Sequence, residues 1–247
     1  MKKIESVNNQ YIKDLYKLHE KKYRDISKKF LVEGEHLVIE AYKTGYLDTI
    51  LISDSKYSFP GVECIYVTEE IIKKLAHTKT PQKIIGVCKY LNFKTSKTES
   101  KFLLLDDIQD PGNLGTLVRS SLGFNIDRIY LSKESVDIYN DKFLRSSGGA
   151  VFHTPIEVVD LYEKIIDLKN RGIEIFVTAV DGGVLLEDIK TNDNYAIILG
   201  NEGSGVKSEL FALTTKNIYI KTNPKLESLN VAIAGSIILY YLNSKKS

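Results

Sequence analysis

Three stretches of the chain bring together the residue types that chemistry uses: amides, carboxylates, a hydroxyl and a guanidinium, set among glycines. The first is Asp106-Asp107-Ile108-Gln109-Asp110-Pro111-Gly112-Asn113-Leu114-Gly115, running into a helical pattern through Val118, Arg119 and Leu122. The second is Gly200-Asn201-Glu202-Gly203-Ser204-Gly205, followed by Val206, Lys207 and Ser208. The third begins at Lys221 and ends in Glu227-Ser228-Leu229-Asn230-Val231-Ala232. The glycines of the second stretch let backbone approach a ligand closely. It nearly repeats the phosphate-cradling pattern GxxxxGK[ST], but Val206 stands where lysine is required, and Glu202 would repel phosphate. Gly203-Ser204-Gly205 also lacks the third glycine of a dinucleotide fingerprint. Singly, each stretch also fits an ordinary role: Asn113 and Ser228 as helix caps, Arg119 as a solvated helix residue, Asn230 as a partner for loop backbone.

Each stretch follows an apolar run, at 102–105, 195–199 and 218–220, and further strands are predicted at 129–131 and 175–179. Helices fit between them, and a last one is predicted over about 229–242. Such alternation closes as a mostly parallel sheet with helices on both faces, in which ligands bind beyond the carboxyl ends of strands. Upstream, short strands at 30–32, 50–52, 65–67 and 84–88 alternate with helices through Leu37, Val38 and Ala41 and, capped by Thr68, through Ile71, Ile72 and Leu75. Ile12, Leu15, Tyr16, His19 and Tyr23 recur at helical spacing. We therefore expect a small α/β domain over residues 1–92, a polar linker over 93–101 and a larger α/β domain over 102–247.

The net charge of +2 conceals a basic arm: residues 1–30 hold nine basic side chains against four acidic ones. Lys13, Lys17, Lys21, Lys22 and Arg24 alternate there with Tyr11, Tyr16 and Tyr23. Two readings stand, an RNA-binding face that tracks phosphates and stacks bases, or a solvated helix face. The four histidines and two cysteines are scattered, without metal-ligand spacing, so no metal is expected. No apolar run reaches the ~18–20 residues of a membrane-spanning helix. The first residues are too polar for a secretory signal, and a cytoplasmic, membrane-free protein is expected.

In order and wording, Asp110-Pro111-Gly112-Asn113-Leu114-Gly115 with Arg119, Ile198-Leu199-Gly200-Asn201-Glu202-Gly203-Ser204-Gly205, and Glu227-Ser228-Leu229-Asn230-Val231-Ala232-Ile233-Ala234 closely resemble the motifs of the SpoU (TrmH) branch of the SPOUT RNA methyltransferases. Ser6-Val7-Asn8-Asn9, Lys13 and Phe30-Leu31-Val32-Glu33-Gly34 are similar to the small L30e-like substrate-binding domain that precedes the catalytic domain in many members, the YsgA-like two-domain ribosomal-RNA enzymes of bacteria above all. One departure stands out. Members usually enter the third motif through a hydrophobic-Pro-hydrophobic-x-Gly stretch, where this chain has Ile220-Lys221-Thr222-Asn223-Pro224.

The resemblance implies a C-terminal parallel sheet threaded as a trefoil knot, a homodimer, and S-adenosylmethionine-dependent 2′-O-methylation of RNA, with 23S ribosomal RNA favoured over transfer RNA. A non-catalytic RNA-binding or ribosome-assembly protein is the rival reading, and would have no need of Arg119, Glu202, Ser228 and Asn230 together. Leu199, Gly200, Asn201, Gly203, Ile220 and Leu229 are the implied holders of the methyl donor. Arg119 is the implied chemical residue. Because guanidinium is effectively always protonated, we read it as a donor to the developing O2′ anion rather than as a base. Asn113 is expected to position Arg119 or the ribose, Glu202 to orient Arg119 or Asn201, and Ser228 and Asn230 to fix the nucleotide or the donor. The last helix carries two apolar flanks, Val231/Ala234/Ile238/Tyr241 and Ile233/Ile237/Tyr240. One flank facing a twin subunit and a helix buried on all sides are both open at this point.

Overall fold

The apolar runs become two sheets of different construction. A computed structural model describes residues 2–179, 182–191 and 193–244. It divides into two units, one of residues up to Asn92 with Asp137–His153, the other of Phe93–Val136 with the residues from Thr154 onward.

The first unit holds a mixed five-stranded sheet. Its strands are β1 (Lys2–Ile4), β2 (Lys29–Glu33), β3 (Leu47–Ile52), β4 (Glu63–Val67) and β5 (Ile84–Lys89), in the order β1-β4-β3-β5-β2. β1, β4 and β3 run parallel, and β5 is antiparallel to both β3 and β2. On one face, α1 (Gln10–Lys17) and α4 (Glu69–Leu75) bury Ile12, Leu15, Ile71, Ile72 and Leu75 against Leu51 and Ile65, while α3 (Glu35–Lys43) buries Leu37, Val38 and Ala41. Thr68 caps α4 as its sequence predicts, its hydroxyl accepting from the Ile71 amide.

The helical spacing from Ile12 to Tyr23 is interrupted: α1 stops at Lys17 and α2 (Lys21–Ser27) begins afresh. Arg24 makes that break. Its guanidinium donates to the carbonyls of Leu18 and His19, each at 2.8 Å, and to Asp137 Oδ2 at 2.5 Å. This corrects the expectation that Arg24 meets RNA phosphate: the residue is 6% exposed and its charge is spent inside the fold. Its partner Asp137 opens the segment that joins this unit from the middle of the chain. There Tyr139 stacks on Tyr90 at 3.9 Å and packs on Phe30, whose ring also faces Phe152. α6 (Asp141–Ser146) lies in the same segment and buries Phe143 and Leu144.

The second unit is built on a seven-stranded sheet that is parallel throughout its described residues. Its strands are β6 (Lys101–Leu105), β7 (Arg128–Ser132), β8 (Ile156–Val159), β9 (Glu174–Thr178), β10 (Val184–Leu185), β11 (Tyr195–Leu199) and β12 (Lys216–Tyr219), ordered β10-β12-β9-β11-β6-β7-β8. β6, β7 and β11 are buried along their whole length, as strands covered on both faces must be. α7 (Leu161–Asn170) and α8 (Ser208–Phe211) lie together over one cluster of this core, and α5 (Pro111–Gly123) packs against α9 (Val231–Ser244). That second packing is close because Gly235 has no side chain. A Cβ there would sit 2.5 Å from Leu117 Cδ2 and 2.6 Å from Leu199 Cδ1.

No helix among the described residues is long and apolar enough to cross a membrane. Arg24→Ala leaves Asp137 Oδ2 and two carbonyls without their donor, so it should cost about 3 kcal/mol, as breaking a buried ion pair does. Urea unfolding followed by circular dichroism measures this, and a loss within experimental error of zero would contradict the assigned role.

Candidate active site

The three polar stretches all leave the carboxyl ends of strands in the second unit: β6, β11 and β12. Asp110 caps α5, its carboxylate accepting from the Asn113 amide at 2.9 Å, with Pro111 at the first helical position where no backbone donor is needed. That cap frees the Asn113 side chain. Its Nδ2 donates to Glu202 Oε1 at 2.8 Å, and its Oδ1 accepts from Asn230 Nδ2 at 3.0 Å. One amide thus joins all three loops. Asn230 completes the relay while capping α9, where its Oδ1 accepts from the amides of Ala232 and Ile233.

The second loop is shaped by Asn201 and two glycines. Asn201 and Gly205 exchange backbone hydrogen bonds at 3.0 Å in each direction, and Asn201 Oδ1 accepts from the amides of Gly203 and Ser204. This hairpin folds onto Gly200, where a Cβ would lie 2.2 Å from the Gly205 carbonyl carbon and 2.3 Å from the Val206 nitrogen. Only glycine fits there.

A cavity of about 650 Å³ opens between the second and third loops and the ends of β9, β11 and β12. Leu199, Ile218, Ile220, Leu229 and Ile238 give it apolar walls, and Asn201, Glu202, Ser228 and Asn230 give it polar groups at intervals. Size and lining match a site for a cofactor with one flat apolar end and one charged end, since such sites span about 300–1,000 Å³ and are mostly apolar. Glu202 is the acidic side chain nearest in sequence to the glycines and would complement a cationic ligand. Among the described residues, no group of three or more histidine, cysteine or acidic side chains is arranged to hold a metal ion.

All six residues expected to hold the donor line this cavity: Leu199, Gly200, Asn201, Gly203, Ile220 and Leu229. Glu202, Ser228 and Asn230 line it too. Asn113 reaches it through its two bonds. Arg119 stands apart, exposed on α5 with no hydrogen bond or ion pair to any described residue. Glu202 therefore serves Asn113, where the sequence suggested Arg119 or Asn201. Thr178 and Ala179 at the end of β9 also line the cavity and were not anticipated as site residues. Their signal was positional only, the carboxyl end of a predicted parallel strand.

Residues 100–240 match the model of the SpoU rRNA Methylase family, more than half of the chain. The chain belongs to the SpoU methylase family. Residues 9–86 match the MRM3-like substrate binding domain. The chain is 40% identical to 23S rRNA (guanosine(2553)-2′-O)-methyltransferase RlmP of Bacillus subtilis, over 98% of this chain and 99% of that one. It is 29% identical to human mitochondrial rRNA methyltransferase 3, over 88% of this chain and 68% of the relative. Among solved structures, the AdoMet-bound rRNA methyltransferase of Sinorhizobium meliloti superposes with a TM-score of 0.89 at 27% identity, covering 100% of this chain and 98% of that one. The SpoU methyltransferase AviRb of Streptomyces viridochromogenes, in complex with AdoMet, superposes at 0.87 with 21% identity and shares the fold. The architecture is that of the SPOUT methyltransferases, a parallel sheet preceded by a small α/β substrate-binding domain, and S-adenosylmethionine is the family's methyl donor.

Asn113→Ala removes both bonds of the relay without touching the core. We expect kcat for methyl transfer to fall by about 10²-fold, as when positioning is lost, with a melting temperature within a few degrees of wild type. Steady-state kinetics beside a thermal melt tests this, and unchanged kcat would show that the relay is idle.

Proposed function

We propose that this protein transfers the methyl group of S-adenosylmethionine to a ribose 2′-hydroxyl of 23S ribosomal RNA, acting as a cytoplasmic homodimer. The observation that carries the reading is the joint of Glu202, Asn113 and Asn230, which ties the three family motifs together beside a cavity of cofactor size. The 23S substrate rests on the 40% identity to RlmP along nearly the full length of both chains.

When bound, S-adenosylmethionine supplies an electrophilic methyl group on a sulfonium centre. Leu199, Gly200, Asn201, Gly203, Ile220 and Leu229 would hold it in the cavity that they line. Glu202 has two tasks there: its carboxylate holds the Asn113 amide and would complement the charge of a cationic ligand. Ser228 and Asn230 steady the target nucleotide against that ligand. Arg119, with no described partner of its own, is free to donate to the ribose oxygen and its neighbouring phosphate as negative charge builds on O2′. The proton leaves to phosphate or water.

Lys13, Lys17, Lys21 and Lys22 are exposed on the first unit and present a phosphate-binding face. Lys17 and Lys21 pair with Asp14 and Asp25 at the surface, contacts weak enough to be exchanged for RNA phosphate. Lys17 and Lys22 each stand 5.8 Å from the Tyr23 ring, a surface where charge and an aromatic face coincide.

The dimer reading rests on α9. Its flank of Val231 and Ile238 is buried in its own unit. Ile233, Ile237 and Tyr240 on the other flank are 52%, 39% and 60% exposed, and the Phe124 ring meets Tyr240 edge-on at 5.8 Å. A second copy of the same face would cover this apolar stripe.

Methylation of 23S RNA from a strain lacking this gene, with labelled donor and nuclease mapping, should place one 2′-O-methyl group. Arg119→Lys should lower turnover by about 10²-fold at unchanged RNA affinity, because lysine cannot form the bidentate contact. Label in a base instead of a ribose would refute the reaction. Ile237→Asp should convert the dimer to monomers in multi-angle light scattering, and a monomeric wild type would refute the assembly.

A further inference from the structure

Two consecutive aspartates, Asp106 and Asp107, follow directly on strand β6, and neither lines the cavity. Both nevertheless reach the glycine loop. Asp106 is 1% exposed, and its Oδ2 accepts from the Lys207 amide at 2.9 Å, just past the loop's end. Its Oδ1 has no hydrogen-bond partner among the described residues and faces Lys207 Nζ at 3.6 Å. The Asp106 amide donates to the Leu199 carbonyl at 2.9 Å, just before the loop's start.

Asp107 adopts φ +55°, the left-handed region that a side-chain-bearing residue enters at a cost. That turn aims its carbonyl at Asn201, whose Nδ2 donates to it at 2.9 Å and to the Asp107 carboxylate at 3.3 Å. The conformation is held from behind. Ser132 Oγ accepts from the Asp107 amide at 2.9 Å, and Gln109 Nε2 donates to its Oδ1. Asn201 passes the constraint on, because the same side chain braces Gly203 and Ser204.

A buried carboxylate and a left-handed aspartate are each unfavourable in isolation. Here they are adjacent, and both act on one loop. We infer that Asp106 and Asp107 form a two-point clamp that holds the loop from Gly200 to Gly205 in its ligand-taking shape, with Asp107 a positioning residue acting through Asn201. This rests on the reading of that loop as the methyl-donor site.

The test compares Asp107→Val, which resists the left-handed conformation, with Asp107→Asn, which tolerates it and keeps an acceptor. Calorimetry with S-adenosylhomocysteine should show binding weakened about tenfold in the valine variant and changed less than about twofold in the asparagine variant. Kinetics should show the valine effect in KM for the donor, with kcat at saturating donor and KM for RNA little changed, a split that general damage to the fold would not produce. Valine binding as tightly as wild type, or asparagine failing like valine, overturns the clamp. A wild type that does not bind the probe overturns the donor-site reading and the clamp with it.

Should circular dichroism show that Asp107→Val does not fold, Asn201→Asp takes its place. It keeps the oxygen that braces Gly203 and Ser204 but sets an acceptor against the Asp107 carbonyl. Donor affinity should again fall about tenfold, and combining it with Asp107→Asn should recover part of that loss, because an amide at 107 can donate to the carboxylate introduced at 201. No loss in the single variant, or no recovery in the double, overturns the inference.

Discussion

An amide side chain is donor and acceptor at once, and the second unit's site depends on one residue using both. Asn113 gives a hydrogen to Glu202 and takes one from Asn230, partners 89 and 117 residues further along the chain. No carboxylate or alkyl side chain of similar size could satisfy both with the same polarity, and a hydroxyl would have to do so from one atom where the amide uses two. The two partners have work of their own, Glu202 in the cavity wall and Asn230 at the head of α9. A displacement of any one loop is therefore felt by the other two. Such mutual support lets three surface loops, normally the mobile parts of a fold, hold groups in fixed relation.

Packing beneath the loops serves the same end. Gly235 brings α9 against α5 and β11, and a hydroxyl pair, Ser120 with Ser236 at 2.7 Å, joins the two helices half-buried between their apolar contacts. The helices that carry Asn113 and Asn230 at their starts are thus locked along their length. Residues far from the cavity decide how well its mouth is defined. Volume changes at Gly235 or Leu117 would reach the chemistry through this crossing.

Much of this was legible in the residues, and the exceptions have physical causes. β6, β7 and β11 are fully buried and read as continuous apolar runs. β8 was missed because Glu157 and Val158 face outward on an edge strand, and β1 because Lys2 and Lys3 mask a single buried Ile4. The break between α1 and α2 was invisible because apolar spacing continues through His19, while the agent of the break is an arginine inside a lysine run. Arg24 and its neighbours have the same composition whether they face phosphate or carbonyls. At the site, the motif wording pointed to the loops, but the pairing of Asn113 with Glu202 rather than Arg119 depends on side-chain direction, which spacing does not encode. Thr178 and Ala179 carry no distinguishing chemistry and enter the site by position alone.

The first unit borrows residues 137–153 from the middle of the chain, and this bears on how the molecule is made. When residue 92 leaves the ribosome, the face of Phe30 and Tyr90 still lacks Tyr139 and Phe152. Synthesis must continue for several seconds before those rings exist, at about 5–20 residues per second. Through that interval the nascent chain displays an uncovered aromatic surface and an Arg24 without its carboxylate. The substrate-binding unit thus cannot finish folding on the continuous stretch that opens it, and the insertion delays its completion until translation has passed well into the residues of the second unit.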